Sequence, residues 1–220
     1  MKKYQLYIFD WDGTIMDTTA TIVEATQYAC RELSLAEVSS QAAKSIIGQS
    51  FFEVISSIVP ELHNNPHLLQ RYTSLYVDYL NQHSLANPFF PYVNEILAKL
   101  TQYNKTLAVA TGRSRVMLDE ILSATDSGKY FILTKTACEC ASKPHPQMIE
   151  EILDFTGIAK EDTVMIGDTT HDIEMAHNAG VDVIALAQGA HDYDLLASAK
   201  PDYLLNDIAQ LYTILEQYGY

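Results

Sequence analysis

The sequence predicts an α/β fold: a doubly wound parallel sheet with an all-helical segment inserted after its first strand. Three observations lead there. Short runs rich in Val, Ile and Leu alternate with helical patterns along much of the chain. Such runs suit strands covered on both faces, and strand-helix alternation builds a parallel sheet. Residues 18 to 90 break that rhythm, with no convincing strand and several amphipathic helical stretches. Finally, 220 residues, 48% of them hydrophobic, suffice for one α/β core and an accessory unit.

The first strand is expected over Leu6 to Phe9 and runs directly into Asp10-Trp11-Asp12-Gly13-Thr14. Two carboxylates, a glycine and a hydroxyl at a strand's carboxyl end can offer a small anion a nucleophile, a second carboxylate and a free amide. Open α/β sheets hold their ligands at that end. In the inserted segment, Ser34-Leu35-Ala36-Glu37 and Ser50-Phe51-Phe52-Glu53 have capping-box spacing. Pro66 opens a long helix in which Leu68, Leu69, Tyr72, Leu75, Tyr76 and Tyr79 recur at helical intervals. That stripe reads as the insert's own core, with a dimer face as the alternative. Asp17-Thr18-Thr19 and Asn87-Pro88-Phe89-Phe90-Pro91 read as hinges that bring the insert out beside the first strand's carboxylates.

Beyond the insert, strands are expected over Thr106 to Ala110, Tyr130 to Leu133, Val164 to Ile166 and Val181 to Leu186. Helices are expected over Pro91 to Leu100, Arg115 to Ser123, Pro146 to Phe155 and Thr170 to Ala179, the last two stopped by Gly157 and Gly180. A formal charge of −14 argues against a nucleic-acid or anionic-membrane surface, which needs clustered Lys and Arg. Three cysteines cannot form a fully paired framework, and Cys138-Glu139-Cys140 lacks a second Cys or His pair at metal-site spacing. No apolar run approaches transmembrane length, so a soluble cytoplasmic protein is expected.

Four motifs occur in order: Asp10-Trp11-Asp12-Gly13-Thr14, Val109-Ala110-Thr111-Gly112-Arg113, Lys143-Pro144 and Gly167-Asp168-Thr169-Thr170-His171-Asp172. In that order the chain resembles the haloacid dehalogenase-like (HAD) superfamily. More narrowly it is similar to the phosphoglycolate-phosphatase-like members with a helical cap, and the resemblance spans nearly the whole chain. It implies a Rossmann-like catalytic core from residues 1–17 and 91–220, a helical cap over 18–90, and hydrolysis of a phosphomonoester through an aspartyl-phosphate. The family's Pro-Gly turn after the cap reads Pro91-Tyr92 here.

Hydrolysis of phosphomonoesters is among the slowest uncatalysed reactions, so a site must combine a nucleophile, charge neutralisation and protonation of the leaving group. By the resemblance, Asp10 is the nucleophile and Asp12 the general acid and then base. Crowding by other carboxylates is expected to raise the proton affinity of Asp12. Two bare carboxylates about 4 Å apart repel by roughly 4 kcal/mol at an effective dielectric near 20, so convergence of Asp10, Asp12, Asp168 and Asp172 implies a cation. Hard oxygen ligands favour Mg²⁺. The resemblance assigns it to Asp10, the Asp12 backbone carbonyl and Asp168, with Asp172 behind them orienting water or Lys143.

Thr111 and Gly112 are expected to give a hydroxyl and backbone amides to the phosphoryl oxygens, and Lys143 a positive charge. Arg113 is expected on the solvated surface, and no role is assigned to His145 or His171. Ser45-Ile46-Ile47-Gly48-Gln49-Ser50 resembles the cap loop that faces the catalytic site in relatives, which makes Ser45, Gln49 and Ser50 the candidates for substrate selectivity. Between Thr18 and Phe90 the basic residues are Arg31, Lys44 and Arg71, which argues against a polyanionic leaving group. The expected partner is a small phosphate ester, with monomer or homodimer open. A phosphosugar mutase on the same scaffold and a non-catalytic, receiver-like phospho-switch are the alternatives.

Overall fold

The computed structural model describes residues 2–218. In chain order the elements are β1 (Leu6–Phe9), α1 (Thr19–Glu32), α2 (Ser40–Lys44), α3 (Phe51–Ile58), α4 (Pro66–His83), α5 (Val93–Gln102), β2 (Thr106–Thr111), α6 (Arg115–Ala124), β3 (Leu133–Thr136), α7 (Gln147–Thr156), β4 (Thr163–Gly167), α8 (Thr170–Ala179), β5 (Asp182–Leu186), α9 (Tyr193–Ser198), β6 (Tyr203–Leu205) and α10 (Ile208–Tyr218). All six strands are parallel, in the order β3-β2-β1-β4-β5-β6. The chain lays down β1, β2 and β3 to one side and then crosses to β4 on the other. The carboxyl ends of β1, β2 and β4 therefore meet at the switch point, where such sheets bind ligands.

Side-chain alternation along β1 divides the core. Tyr7 and Phe9 face a layer that holds Ile96, Leu97 and Leu100 of α5, Ile121 of α6 and Leu211 and Leu215 of α10. Leu6 and Ile8 face the opposite layer, with Ile149 and Ile152 of α7 and Ile173 and Ala176 of α8. Gly157 and Gly180 stop α7 and α8 in the left-handed region, at φ 67° and 77°.

Between β1 and α5 the chain is helical, and it packs around its own cluster of Ala25, Ala29, Ile47, Ile55, Tyr72 and Leu80. Tyr72 and Tyr76 of the Tyr/Leu stripe are buried inside that cluster, and Tyr72 Oη donates to the Thr26 carbonyl at 2.8 Å. The two connections run side by side: Asp17 N–H donates to the Pro88 carbonyl and Phe90 N–H to the Ile15 carbonyl, each at 3.0 Å.

Several expectations move. Ser34 is not a helix cap. It takes a left-handed turn at φ 53° after α1, and Ser39 caps α2 by accepting from Ala42 N–H. The Ser50 hydroxyl makes no cap bond to α3, and its partner Glu53 lies outside the described side chains. The third strand is Leu133–Thr136, not Tyr130 to Leu133. It is an edge strand with one hydrogen-bonded neighbour, half-buried and carrying Lys135, so the more apolar stretch before it forms a tight turn with Ile132 exposed. The segment after Leu186 adds α9, β6 and α10, which the pattern reading passed over. Tyr92, where the family resemblance implies a glycine, takes the left-handed conformation at φ 70°, and its ring stacks on Tyr212 at 4.8 Å.

Candidate active site

Asp10 follows the last residue of β1, its N–H donating to the Ile166 carbonyl of β4, so its carboxylate emerges at the switch point. Oδ1 accepts from Trp11 N–H at 2.7 Å and lies 2.9 Å from Lys143 Nζ. Oδ2 is buried and has no hydrogen-bond partner. Burial pushes the Asp10 carboxyl up to about 7, against the downward pull of Lys143.

Asp168 follows β4 and Asp172 sits in the first turn of α8. Asp168 Oδ1 accepts from Thr14 Oγ1 and Oδ2 from Ala190 N–H, both at 2.7 Å. Two glycines hold the backbone against this carboxylate: a Cβ at Gly13 or Gly189 would lie 2.2 or 2.0 Å from Asp168 Oδ2, and Gly13 also needs φ 77°. Burial first, then the charges of Asp10 and Asp172, raises Asp168 well above the usual carboxylate range. Asp172 completes a capping box with Thr169, accepting from its N–H and hydroxyl through Oδ2. Its Oδ1 accepts from Lys143 Nζ at 2.6 Å. Asp10, Asp168 and Asp172 each bring a carboxylate oxygen within 4.8 Å of the others.

Lys143 is fully buried between Asp10 and Asp172. Burial alone would lower its proton affinity, but the two carboxylates outweigh it and keep the ammonium charged. Thr111 ends β2, with its hydroxyl accepting from Arg113 N–H at 3.2 Å. A Cβ at Gly112 would lie 2.6 Å from the carbonyl oxygens of Gly48 and Gln49, so the helical insert's loop is pressed against this backbone.

Two expectations about charge are overturned together. Arg113 is not on the solvated surface: it is buried, and its Nε donates to Asp12 Oδ2 at 3.1 Å while Nη2 donates to Oδ1. Asp12 is consequently not raised. Burial pushes its pKa up, but the Arg113 guanidinium, with help from the Thr18 hydroxyl at 2.6 Å, holds it below the ordinary carboxylate value. The signal available in the sequence was the position of Arg113, two residues beyond a strand-ending Thr and therefore inside the ligand-binding rim. Thr18 carried none, because its bond to Asp12 depends on how the chain re-enters α1.

The loop after α2 meets the core at several points. Gln49 Nε2 lies 3.0 Å from His171 Nδ1 and 2.5 Å from its Nε2, His171 Nε2 faces the Ser45 carbonyl at 3.2 Å, and Ser50 N–H donates to Ser142 Oγ at 2.7 Å. His171 thus acquires a contact that its motif position did not suggest. His145 Nδ1 accepts from Gln147 N–H at the start of α7. Gln49 and Ser50 line a cavity between insert and core, whereas the Ser45 hydroxyl turns back onto the Ala42 carbonyl outside it.

The family model for haloacid dehalogenase-like hydrolases matches residues 7–186 of this chain. The chain is 32% identical to the "Probable phosphatase IndB" of Dickeya dadantii over 210 residues, covering 94% of this chain and 91% of that protein. It is 26% identical to the phosphoglycolate phosphatase of Vibrio vulnificus, covering 97% of each. Among solved structures, a hydrolase from Pseudomonas syringae superposes with a TM-score of 0.86 at 20% identity over 100% of both chains, a likeness of fold.

Proposed function

Because the chain belongs to the haloacid dehalogenase-like hydrolase family, we propose that it is a Mg²⁺-dependent phosphatase that hydrolyses a small phosphomonoester through an aspartyl-phosphate at Asp10. The observation that carries this reading is Asp10 Oδ2, a buried carboxylate oxygen left without a partner while Oδ1 is held by Trp11 N–H and Lys143. Attack by Oδ2 on phosphorus forms the phosphoaspartate and breaks the ester bond, the leaving oxygen taking a proton from Asp12. Water then attacks the phosphorus and gives its proton to Asp12, releasing inorganic phosphate and the free Asp10 carboxylate. Paired with Arg113, Asp12 is in the ionised form that accepts a proton from water. Delivering one to the leaving group requires that pair to loosen first. Lys143, the Thr111 hydroxyl and the Gly112 amide bind the phosphoryl oxygens, whose charge grows as the bond breaks.

The donor set fits a hard divalent cation. Four buried carboxylates, Asp10, Asp12, Asp168 and Asp172, face two buried cations, Lys143 and Arg113, so with all four ionised two negative charges would lack a countercharge. Asp10, Asp168 and the Asp12 backbone carbonyl would hold Mg²⁺, with Asp172 behind them fixing Lys143. When bound, the ion neutralises phosphoryl charge and orients the ester. In this reading residues 1–17 and 91–220 form the catalytic core, and residues 18–90 are a cap that excludes water, with Gln49 and Ser50 at the leaving group. No helix among the described residues is long and apolar enough to cross a membrane, and the strongly acidic chain acts in the cytoplasm on a small ester rather than on nucleic acid or lipid.

The phosphatase names of the relatives favour hydrolysis over mutase chemistry. The test is release of inorganic phosphate from a panel of phosphorylated metabolites with Mg²⁺. Sustained release over many turnovers, lost in Asp10→Asn, supports the phosphatase. Return of phosphate to a sugar without net release indicates a mutase, and a single stoichiometric phosphorylation a switch.

A further inference from the structure

A cavity of about 260 Å³ lies between the helical insert and the core, bounded at one point by Asp12 and Arg113. The insert lines it with Ile46, Phe51, Tyr76 and Leu80, and the core with Val116 and Met117. Apart from Asp12 its charged lining residues are Arg113 and Glu120, so among the described residues Arg113 is the single cation there. That cation is already committed, through Nε and Nη2, to Asp12. Lys44, one of the insert's few basic residues, borders a different depression beside His191.

We propose that the leaving group of this enzyme's substrate is uncharged and largely apolar, about one ring in size with a few further atoms. The proposal rests on the phosphatase reading above, since Asp12, the group that would protonate the leaving oxygen, stands in the cavity wall. The size follows from the volume: an apolar cavity of about 150 Å³ takes up benzene, so 260 Å³ accommodates a ring and a short linker. The charge follows from the lining. A second phosphate or a carboxylate on the leaving group would meet Glu120 and Asp12 with no uncommitted cation to balance it, and burying an unpaired charge is costly. A two-carbon acid such as glycolate would in addition leave most of the apolar surface unfilled. The Arg113 Nη1 donor, buried without a partner, suits a neutral acceptor such as a hydroxyl or carbonyl near the ester oxygen.

The test compares kcat/KM for benzyl phosphate, methyl phosphate, phosphoglycolate and pyrophosphate with Mg²⁺, together with calorimetric binding of benzylphosphonate and methylphosphonate, which are not hydrolysed. One methylene in an apolar pocket is worth roughly tenfold or more, so benzyl phosphate is expected to exceed methyl phosphate by at least about 100-fold. Phosphoglycolate and pyrophosphate are expected to do no better than methyl phosphate. Val116 is 67% exposed at the cavity wall and can be changed with little risk to folding. Val116→Asp should cost benzyl phosphate about tenfold while methyl phosphate stays within about threefold. Phosphoglycolate or pyrophosphate matching benzyl phosphate, or a uniform loss in Val116→Asp, overturns the proposal and leaves the phosphatase standing. No turnover of any ester, with benzylphosphonate still bound much more tightly than methylphosphonate, supports the pocket assignment and overturns the phosphatase.

Discussion

In the metal-free protein, Asp10 should make stability fall as pH rises. Its carboxyl moves from an ordinary 3.8 in the unfolded chain to about 7 in the fold, with burial as the largest cause. Between those values the folded state holds a proton that the unfolded state has released. Unfolding therefore releases a proton, and stability declines by about 1.4 kcal/mol per pH unit across the window. The whole shift corresponds to roughly 4 kcal/mol, present below pH 3.8 and lost by pH 7. Asp168 is displaced in the same direction and adds to the slope. Asp12 titrates below its ordinary value, so its contribution is complete above about pH 4 and disappears only as pH falls further. His191, lowered by burial, works the other way near its unfolded value of 6.5. The assay is urea unfolding with EDTA at half-unit steps from pH 4 to 8, for the wild type and for Asp10→Asn, whose amide cannot ionise. Their difference reports Asp10 together with its effect on Asp168: the variant should gain several kcal/mol on the wild type as pH rises from 4 to 7, and saturating Mg²⁺ should remove most of that gain. A difference that stays flat across the window, or runs in the opposite direction, would refute the linkage between burial, charge and metal argued for this site.

Arg113→Met leaves the Asp12 carboxylate buried without its cation and should destabilise the fold by about 3–5 kcal/mol near neutral pH, with a smaller loss near pH 4, measured by urea unfolding. Arg113→Lys should recover part of it. Tyr92→Ala keeps the left-handed strain and loses the stack on Tyr212, so Tyr92→Gly should be the more stable of the two by about 1 kcal/mol in thermal or urea unfolding. Gln49→Ala should reorder a panel of esters by kcat/KM while leaving a small aryl phosphate nearly unchanged. Thr111→Ala should instead depress every ester together, because in the proposed mechanism its hydroxyl, at the end of β2, binds the phosphoryl group common to all.

The positions of the residues proposed to carry the chemistry were legible because strand ends and their loops are short-range features. Asp10, Asp168 and Thr111 each stand at or one residue beyond a strand's carboxyl end, so finding the strands located them. Gly157 and Gly180 were legible as helix stops for the same local reason. Arg113 was not, because its fate depends on Asp12, a hundred residues away in sequence and brought near only when β1 and β2 pair. The misjudged proton affinity of Asp12 followed directly: like charges were counted from the motifs and the countercharge was missing. The edge strands β3 and β6 were hard to see because half their surface faces solvent and their composition is correspondingly mixed. The helix α10 did carry a usable signal in Ile208, Leu211 and Leu215, all buried on one face.

The central claim is that Asp10 carries the phosphoryl group. Asp12→Asn protein, slowed in hydrolysing the intermediate, should be mixed with an aryl phosphate and Mg²⁺. The mixture is quenched in acid, reduced with borohydride to convert any acyl phosphate to the alcohol, and digested for mass spectrometry. The account predicts homoserine at position 10, in amounts that rise and decay with turnover. Steady phosphate release with an unmodified Asp10, or with the label on another residue, would contradict it.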